Sequence, residues 1–172
     1  MMDQPRLIKS PVYHDNRGTF CESFRASDWE EHGIKFVTDS YSWSYPNVFR
    51  GFHYQTVNPQ GKLVSVIHGC IYDICIDVRD GSDNRFGACY HFVLRDDEDE
   101  QLWIPPGFAH GYCARRTNAV VMYKATQYRN VGSEVVIGYD DPHINIRFPN
   151  PLIVSHKDSN GIFLKDAPRV RV

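Results

Sequence analysis

A chain of 172 residues can bury one substantial core without dividing, so a single domain spanning 1–172 is expected. Its 13% aromatic content, 12 Gly and 10 Pro predict many short strands and turns rather than long helices, and a net charge of -2 argues against a nucleic-acid surface. Five cysteines with no CxxC pair, no signal-peptide pattern and no apolar run of about 18 residues predict reduced thiols in a cytoplasmic protein that does not span a membrane.

Residues 1–14 carry the apolar pairs Leu7, Ile8 and Val12, Tyr13, but Pro5 and Pro11 confine them to a sheet edge or an arm. His14-Asp15-Asn16-Arg17-Gly18 is turn chemistry leading into a strand over 19–24, on which Phe20 and Glu22 share a face. Ser27-Asp28-Trp29-Glu30 matches a capping box, and Gly33 suits the end of a short helix. Alternation over 35–44 puts Thr38, Ser40, Ser42 and Ser44 on one face, a row suited either to a polar cavity or to solvent.

The stretch Val48-Phe49-Arg50-Gly51-Phe52-His53-Tyr54-Gln55 brings a cation, an imidazole and an amide onto one predicted strand. Strict alternation sends Phe49, Gly51, His53 and Gln55 one way and Arg50, Phe52 and Tyr54 the other. His53 is then either a base in a partly dry pocket, with Gly51 clearing space for a ligand, or a core histidine beside a structural arginine. After a loop at 56–61, Lys62 opens an apolar run through His68, and Gly69-Cys70 reads as a hairpin turn into a strand at 71–78. On that strand Ile71, Asp73, Cys75 and Asp77 share a face. Asp77 reads as a strand-end charge near Arg79, and Asp73 as the carboxylate that needs a buried partner.

A strand at 90–94, an acidic loop at 95–100, Leu102-Trp103-Ile104 and the stiff turn Pro105-Pro106-Gly107 lead to His110 at the start of the next strand. The strand at 119–125 carries Val121, Tyr123 and Ala125 on one side, where Tyr123 reads by itself as a core aromatic with its hydroxyl satisfied, the more common fate of a tyrosine. Past Tyr128 the chain reads as irregular, ending in a tail that contains Ser155-His156-Lys157-Asp158. About nine short strands and one or two short helices predict an all-β fold, with a jelly-roll barrel preferred and polar groups gathered at its mouth.

The motifs Asp15-Asn16-Arg17-Gly18-x-Phe20, Arg50-Gly51-Phe52-His53-Tyr54-Gln55, Pro105-Pro106-Gly107-Phe108-Ala109-His110-Gly111, Met122-Tyr123-Lys124 and Ser155-His156-Lys157-Asp158 occur in one order. In this the chain resembles the dTDP-4-dehydrorhamnose 3,5-epimerase family. The resemblance implies a cupin-type jelly roll, a homodimer whose N-terminal arm exchanges with its partner, a nucleoside-diphosphate 4-keto sugar as substrate and no metal or organic cofactor. It implies His53 as the base, Asp158 as its orienting carboxylate, Lys62 at the enolate oxygen and Tyr123 as the acid on the opposite face. For substrate binding it implies Arg17, Phe20, Glu22, Ser40, Ser42, Arg50, Gln55, His110, Arg129, Glu134 and Lys157. Two departures stand out: Thr38-Asp39-Ser40 replaces a Gln-x-Asn pattern, and Arg129 occupies the place of a second tyrosine. The alternatives are a 3,4-ketoisomerase, a mono-epimerase on a GDP-, CDP- or dTDP-linked sugar, and a non-catalytic sugar-binding jelly roll. A metal-dependent cupin fits poorly, because Gly51 and Gln55 flank His53 where an HxH pair would be needed.

Overall fold

The computed structural model describes residues 2–81 and 85–172. The chain enters through β1 (Arg6–Lys9) and the hairpin of β2 (Val12–Asp15) and β3 (Gly18–Cys21), then passes helix α1 (Ala26–Glu30). Next come β4 (Thr38–Ser44), β5 (Val48–Gln55), β6 (Lys62–His68), β7 (Cys70–Asp77) and β8 (Cys89–Arg95). β9 (Glu100–Ile104), β10 (Phe108–Ala114) and β11 (Ala119–Ala125) follow, and β12 (Glu134–Val136), β13 (Ile153–Val154) and helix α2 (His156–Ser159) complete the set.

Two sheets face each other. One has the order β1-β9-β6-β11-β4; the other runs β12-β5-β10-β7-β8, with β13 added in parallel to β5. Between them lie Val64, Val66, Leu102, Ile104 and Val121 from the first sheet and Ile71, Cys75, Leu94, Phe108 and Tyr112 from the second. The fold is therefore mostly β, as composition predicts, but the sheets are not closed into the expected barrel. Each sheet also has an outer apolar layer: Phe49, Phe52, Ile74 and Ile76 under the C-terminal segment, and Leu63 and Trp103 under Trp29 of α1.

Several local expectations give way to packing. The Ser27 capping box does not form: Arg25 precedes the helix without a side-chain cap, and the Ser27 hydroxyl turns to Asp28. The helix is held instead by Trp29, whose ring lies 5.3 Å from that of Trp103. Gly33 does end it, at φ +71°, its N–H donating to Glu30 and that of Ile34 to Trp29. Gly69-Cys70 is not a hairpin turn, because β6 and β7 belong to different sheets and the chain crosses between them there. The region beyond Tyr128, read as irregular, supplies β12, which pairs with the end of β5.

The departure that matters most for function lies in β5. Its pairing with β10 shifts register between His110 and Tyr112, so alternation along β5 changes parity. Phe49, Phe52 and Tyr54 all join the outer layer, whereas Arg50 and His53, three residues apart, both reach the space between the sheets. Gly51, at φ +142°, makes the shift feasible, since a Cβ there would lie 2.4 Å from the Gly111 Cα. The close approach is thus made by the β10 backbone and not by a ligand. Gly51→Ala is expected to lower unfolding free energy by about 3 kcal/mol, read as a lower urea midpoint at constant slope.

Candidate active site

A cavity of ≈ 820 Å³ opens between the sheets, with His53, Lys62, His110, Tyr112, Tyr123 and Asp158 among its walls. That size suits a ligand larger than a monosaccharide. β5 supplies His53, β6 supplies Lys62, β10 supplies His110 and Tyr112, and β11 supplies Tyr123, while α2 caps one side with Asp158.

His53 Nε2 lies 2.7 Å from Asp158 Oδ1. The second Asp158 oxygen accepts the Gly51 N–H at 3.3 Å, and Ser155 caps α2 by accepting the Asp158 N–H at 3.1 Å. Burial pushes the Asp158 carboxyl upward, but the His53 hydrogen bond and charge and the Gly51 N–H together hold it below the usual carboxylate value. With Nε2 donating to this carboxylate, the lone pair of the neutral ring sits on Nδ1. Ser155-x-x-Asp158 is the sequence signal that would have revealed α2.

A second dyad lies deeper. His110 Nε2 is 2.8 Å from Asp73 Oδ2, with His110 5% and Asp73 0% exposed, so Asp73 finds the buried partner that its strand position demanded. The Lys62 ammonium faces the cavity beside this pair and has no hydrogen-bond partner among the described residues. Burial pushes its pKa down to about 8, against the pull of Cys75 and Asp73. Across the cavity Tyr123 stands with its ring 6.3 Å from that of His110 and its hydroxyl 2.9 Å from Ser42 Oγ. Burial, with Tyr112 beside it, keeps that phenol protonated well above its ordinary value.

The hydroxyl row of β4 does face inward: Ser42 and Ser44 bond Tyr112, and Ser40 joins the cavity wall further out. Arg50 donates to Ser44 Oγ at 2.9 Å and to the Trp43 carbonyl at 3.1 Å. At the rim Glu134 is bracketed by Arg129, at 3.0 Å, and Lys157, leaving one net positive charge for an anionic ligand. Gln55 lines the cavity, but its amide is engaged with the backbone of Asn58, Tyr128 and Asn130 and so holds that loop. Arg17, Phe20 and Glu22 are not brought to the cavity of their own chain. Arg17 pairs with Asp15 at 2.6 Å, Glu22 with Arg25 at 2.7 Å, and the Phe20 ring is 67% exposed beside a smaller groove of ≈ 320 Å³. Sequence reasoning left Tyr112 out of the site, since a tyrosine in an apolar strand carries no local mark of its hydroxyl partners.

A basic nitrogen, a cation and a protonated phenol lining one cavity can remove a proton from carbon beside a carbonyl, hold the resulting oxyanion and deliver a proton. The comparisons agree in kind. The family model described as dTDP-4-dehydrorhamnose 3,5-epimerase matches residues 2–166. The enzyme of that name from Methanothermobacter thermautotrophicus is 39% identical over 97% of this chain and 93% of its own. Its Escherichia coli counterpart is 37% identical over 96% and 92%. Among solved structures, dTDP-6-deoxy-D-glucose-3,5-epimerase from Legionella pneumophila, in complex with dTDP-4-keto-L-rhamnose, has a TM-score of 0.90 at 38% identity, covering 98% of this chain and 94% of that one.

Proposed function

This chain belongs to the dTDP-4-dehydrorhamnose 3,5-epimerase family of isomerases, and from that premise we propose that its cavity inverts C3 and C5 of a dTDP-linked 4-keto-6-deoxyhexose. The observation that carries the proposal is that the His53–Asp158 pair and Tyr123 line one cavity. In this reading His53 takes the proton from carbon, breaking C–H and leaving an enolate whose oxygen lies at the Lys62 ammonium. Tyr123 then gives its proton to the opposite face of that carbon. The imidazolium left behind then releases a proton to solvent and the phenolate takes one up, so the enzyme returns to its starting state with no net proton change.

The diphosphate is assigned to Arg50 and to the positive rim of Arg129 and Lys157, because guanidinium groups match phosphate oxygens in pairs. Ser40 is assigned to the ligand's polar groups and His110, tied to Asp73, to the sugar, whereas Ser42 is engaged by Tyr112 and Tyr123. The exposed hairpin is ascribed to a homodimer contact through which Arg17, Phe20 and Glu22 of one protomer serve the partner's cavity. The same reading takes the chain as one cupin-type jelly-roll domain acting in the cytoplasm, on the way to an activated sugar for surface polysaccharide.

Incubation with dTDP-4-keto-6-deoxyglucose in heavy water is the test. Solvent deuterium at C3 and C5 of an inverted product is expected; a 3-keto product would establish a ketoisomerase instead. The charge on Lys62 gives a second expectation. Raising pH through about 8 removes the ammonium proton, so kcat/KM for exchange should fall there. Lys62→Arg keeps its charge beyond pH of about 12 and should lose that alkaline limb. A parent profile flat to about one unit above the Lys62 value would remove this role.

A further inference from the structure

A line of hydroxyls joins Tyr112 and Tyr123 of the cavity wall to two serines behind it. Arg50 Nε lies 2.9 Å from Ser44 Oγ, Ser44 Oγ 2.8 Å from the Tyr112 hydroxyl, Tyr112 2.9 Å from Ser42 Oγ, and Ser42 2.9 Å from the Tyr123 hydroxyl. Four strands contribute: β5 gives Arg50, β4 both serines, β10 Tyr112 and β11 Tyr123. Tyr112 is 2% and Ser44 1% exposed, so water does not compete for the bond between them.

We propose that Tyr112 is a positioning residue for Tyr123, the centre of a one-way hydrogen-bond chain that starts at Arg50 and aims the Tyr123 proton into the cavity. The inference rests on the reading of Tyr123 as the acid. A guanidinium only donates, and each hydroxyl has one proton to give. Ser44 therefore accepts from Arg50 and passes its own proton to Tyr112, Tyr112 donates to Ser42, and Ser42 donates to the Tyr123 oxygen. The Tyr123 proton is then left for the substrate. In the opposite sense Tyr123 would donate to Ser42 and point away from the cavity. Ser44 would then accept twice, and its own proton would find no partner among the described residues in a buried place, which is costly.

The chain also serves the moment after transfer. When the Tyr123 O–H bond breaks and the new C–H bond forms, the phenolate already accepts from Ser42. Successive hydroxyls polarise one another toward a fixed positive charge. Burial, with Tyr112 and Asp73 close by, opposes that phenolate, and the Ser42 bond is the contact that favours it.

Tyr112→Phe keeps the buried ring and deletes only the link; Ser44→Ala interrupts the line one step earlier. In heavy water with dTDP-4-keto-6-deoxyglucose, two rates are read for each variant: deuterium exchange with retention, and inversion. Inversion is expected to fall roughly tenfold or more in both variants, as for loss of a hydrogen bond to a charged group. Exchange should stay within about threefold and KM likewise, so the ratio of the two rates moves. A merely structural lesion would lower both rates together. Parallel loss of exchange and inversion in both variants, or parental inversion in both, overturns the proposal. Tyr123→Phe run alongside separates the two levels: if it still inverts, the acid assignment falls as well. If it does not, while Tyr112→Phe and Ser44→Ala invert at the parental rate, the chain alone falls.

Discussion

His53→Gln is expected to lower both deuterium exchange at the sugar and product formation by about 10²–10⁴-fold, the usual worth of a positioned general base. Glutamine keeps an N–H for Asp158, so the carboxylate that His53 meets at 2.7 Å retains a donor and the fold is preserved. What is lost is a nitrogen basic enough to hold a proton taken from carbon. Because proton removal precedes both washout and inversion, the two rates should fall together while KM changes little. Proton NMR in heavy water measures both. A variant exchanging within about tenfold of the parent would show that another group is the base.

Tyr123→Phe should separate the same two rates. The phenyl ring keeps its place against His110, at 6.3 Å and 70°, and Ser42 keeps Tyr112 as a partner, so the stability loss should be about 1 kcal/mol. The removed hydroxyl is the donor for the face opposite His53. Exchange, which needs only His53 to take a proton and return deuterium, should persist within a few-fold, while inversion falls by about 10²–10³-fold. Inversion at the parental rate would assign the acid elsewhere. The contrast with His53→Gln is itself diagnostic, because one variant loses the enolate and the other only its protonation from the far side.

Much of this arrangement is legible along the chain. The strand read at 48–55 and the one at 119–125 coincide with β5 and β11. The inward face of β7 carries Ile71, Asp73 and Cys75 as alternation requires. These features depend on backbone periodicity, which each segment carries in its own residues. The motif resemblance likewise pointed to His53, Lys62, Tyr123 and Asp158, which line one cavity. The Ser27 capping box failed for the complementary reason: a local signal of about 1 kcal/mol is outweighed by burying Trp29 against Trp103.

What the chain by itself determined is most of the strands, their inward and outward residues where alternation runs unbroken, and the chemical types available for catalysis. The tertiary structure alone decided which of those groups meet. Arg50 and His53 share a side only because Gly51 packs on Gly111 and shifts the β5 register. Gln55 is taken up by the loop at Asn130, and Arg17, Phe20 and Glu22 stay outside the cavity of their own chain. His110 finds Asp73, and Ser42, Tyr112 and Tyr123 form one line, through pairings of strands far apart in sequence. Side-chain period is a property of a single strand, whereas register and sheet membership follow from how two surfaces fit, and no stretch of sequence contains both surfaces.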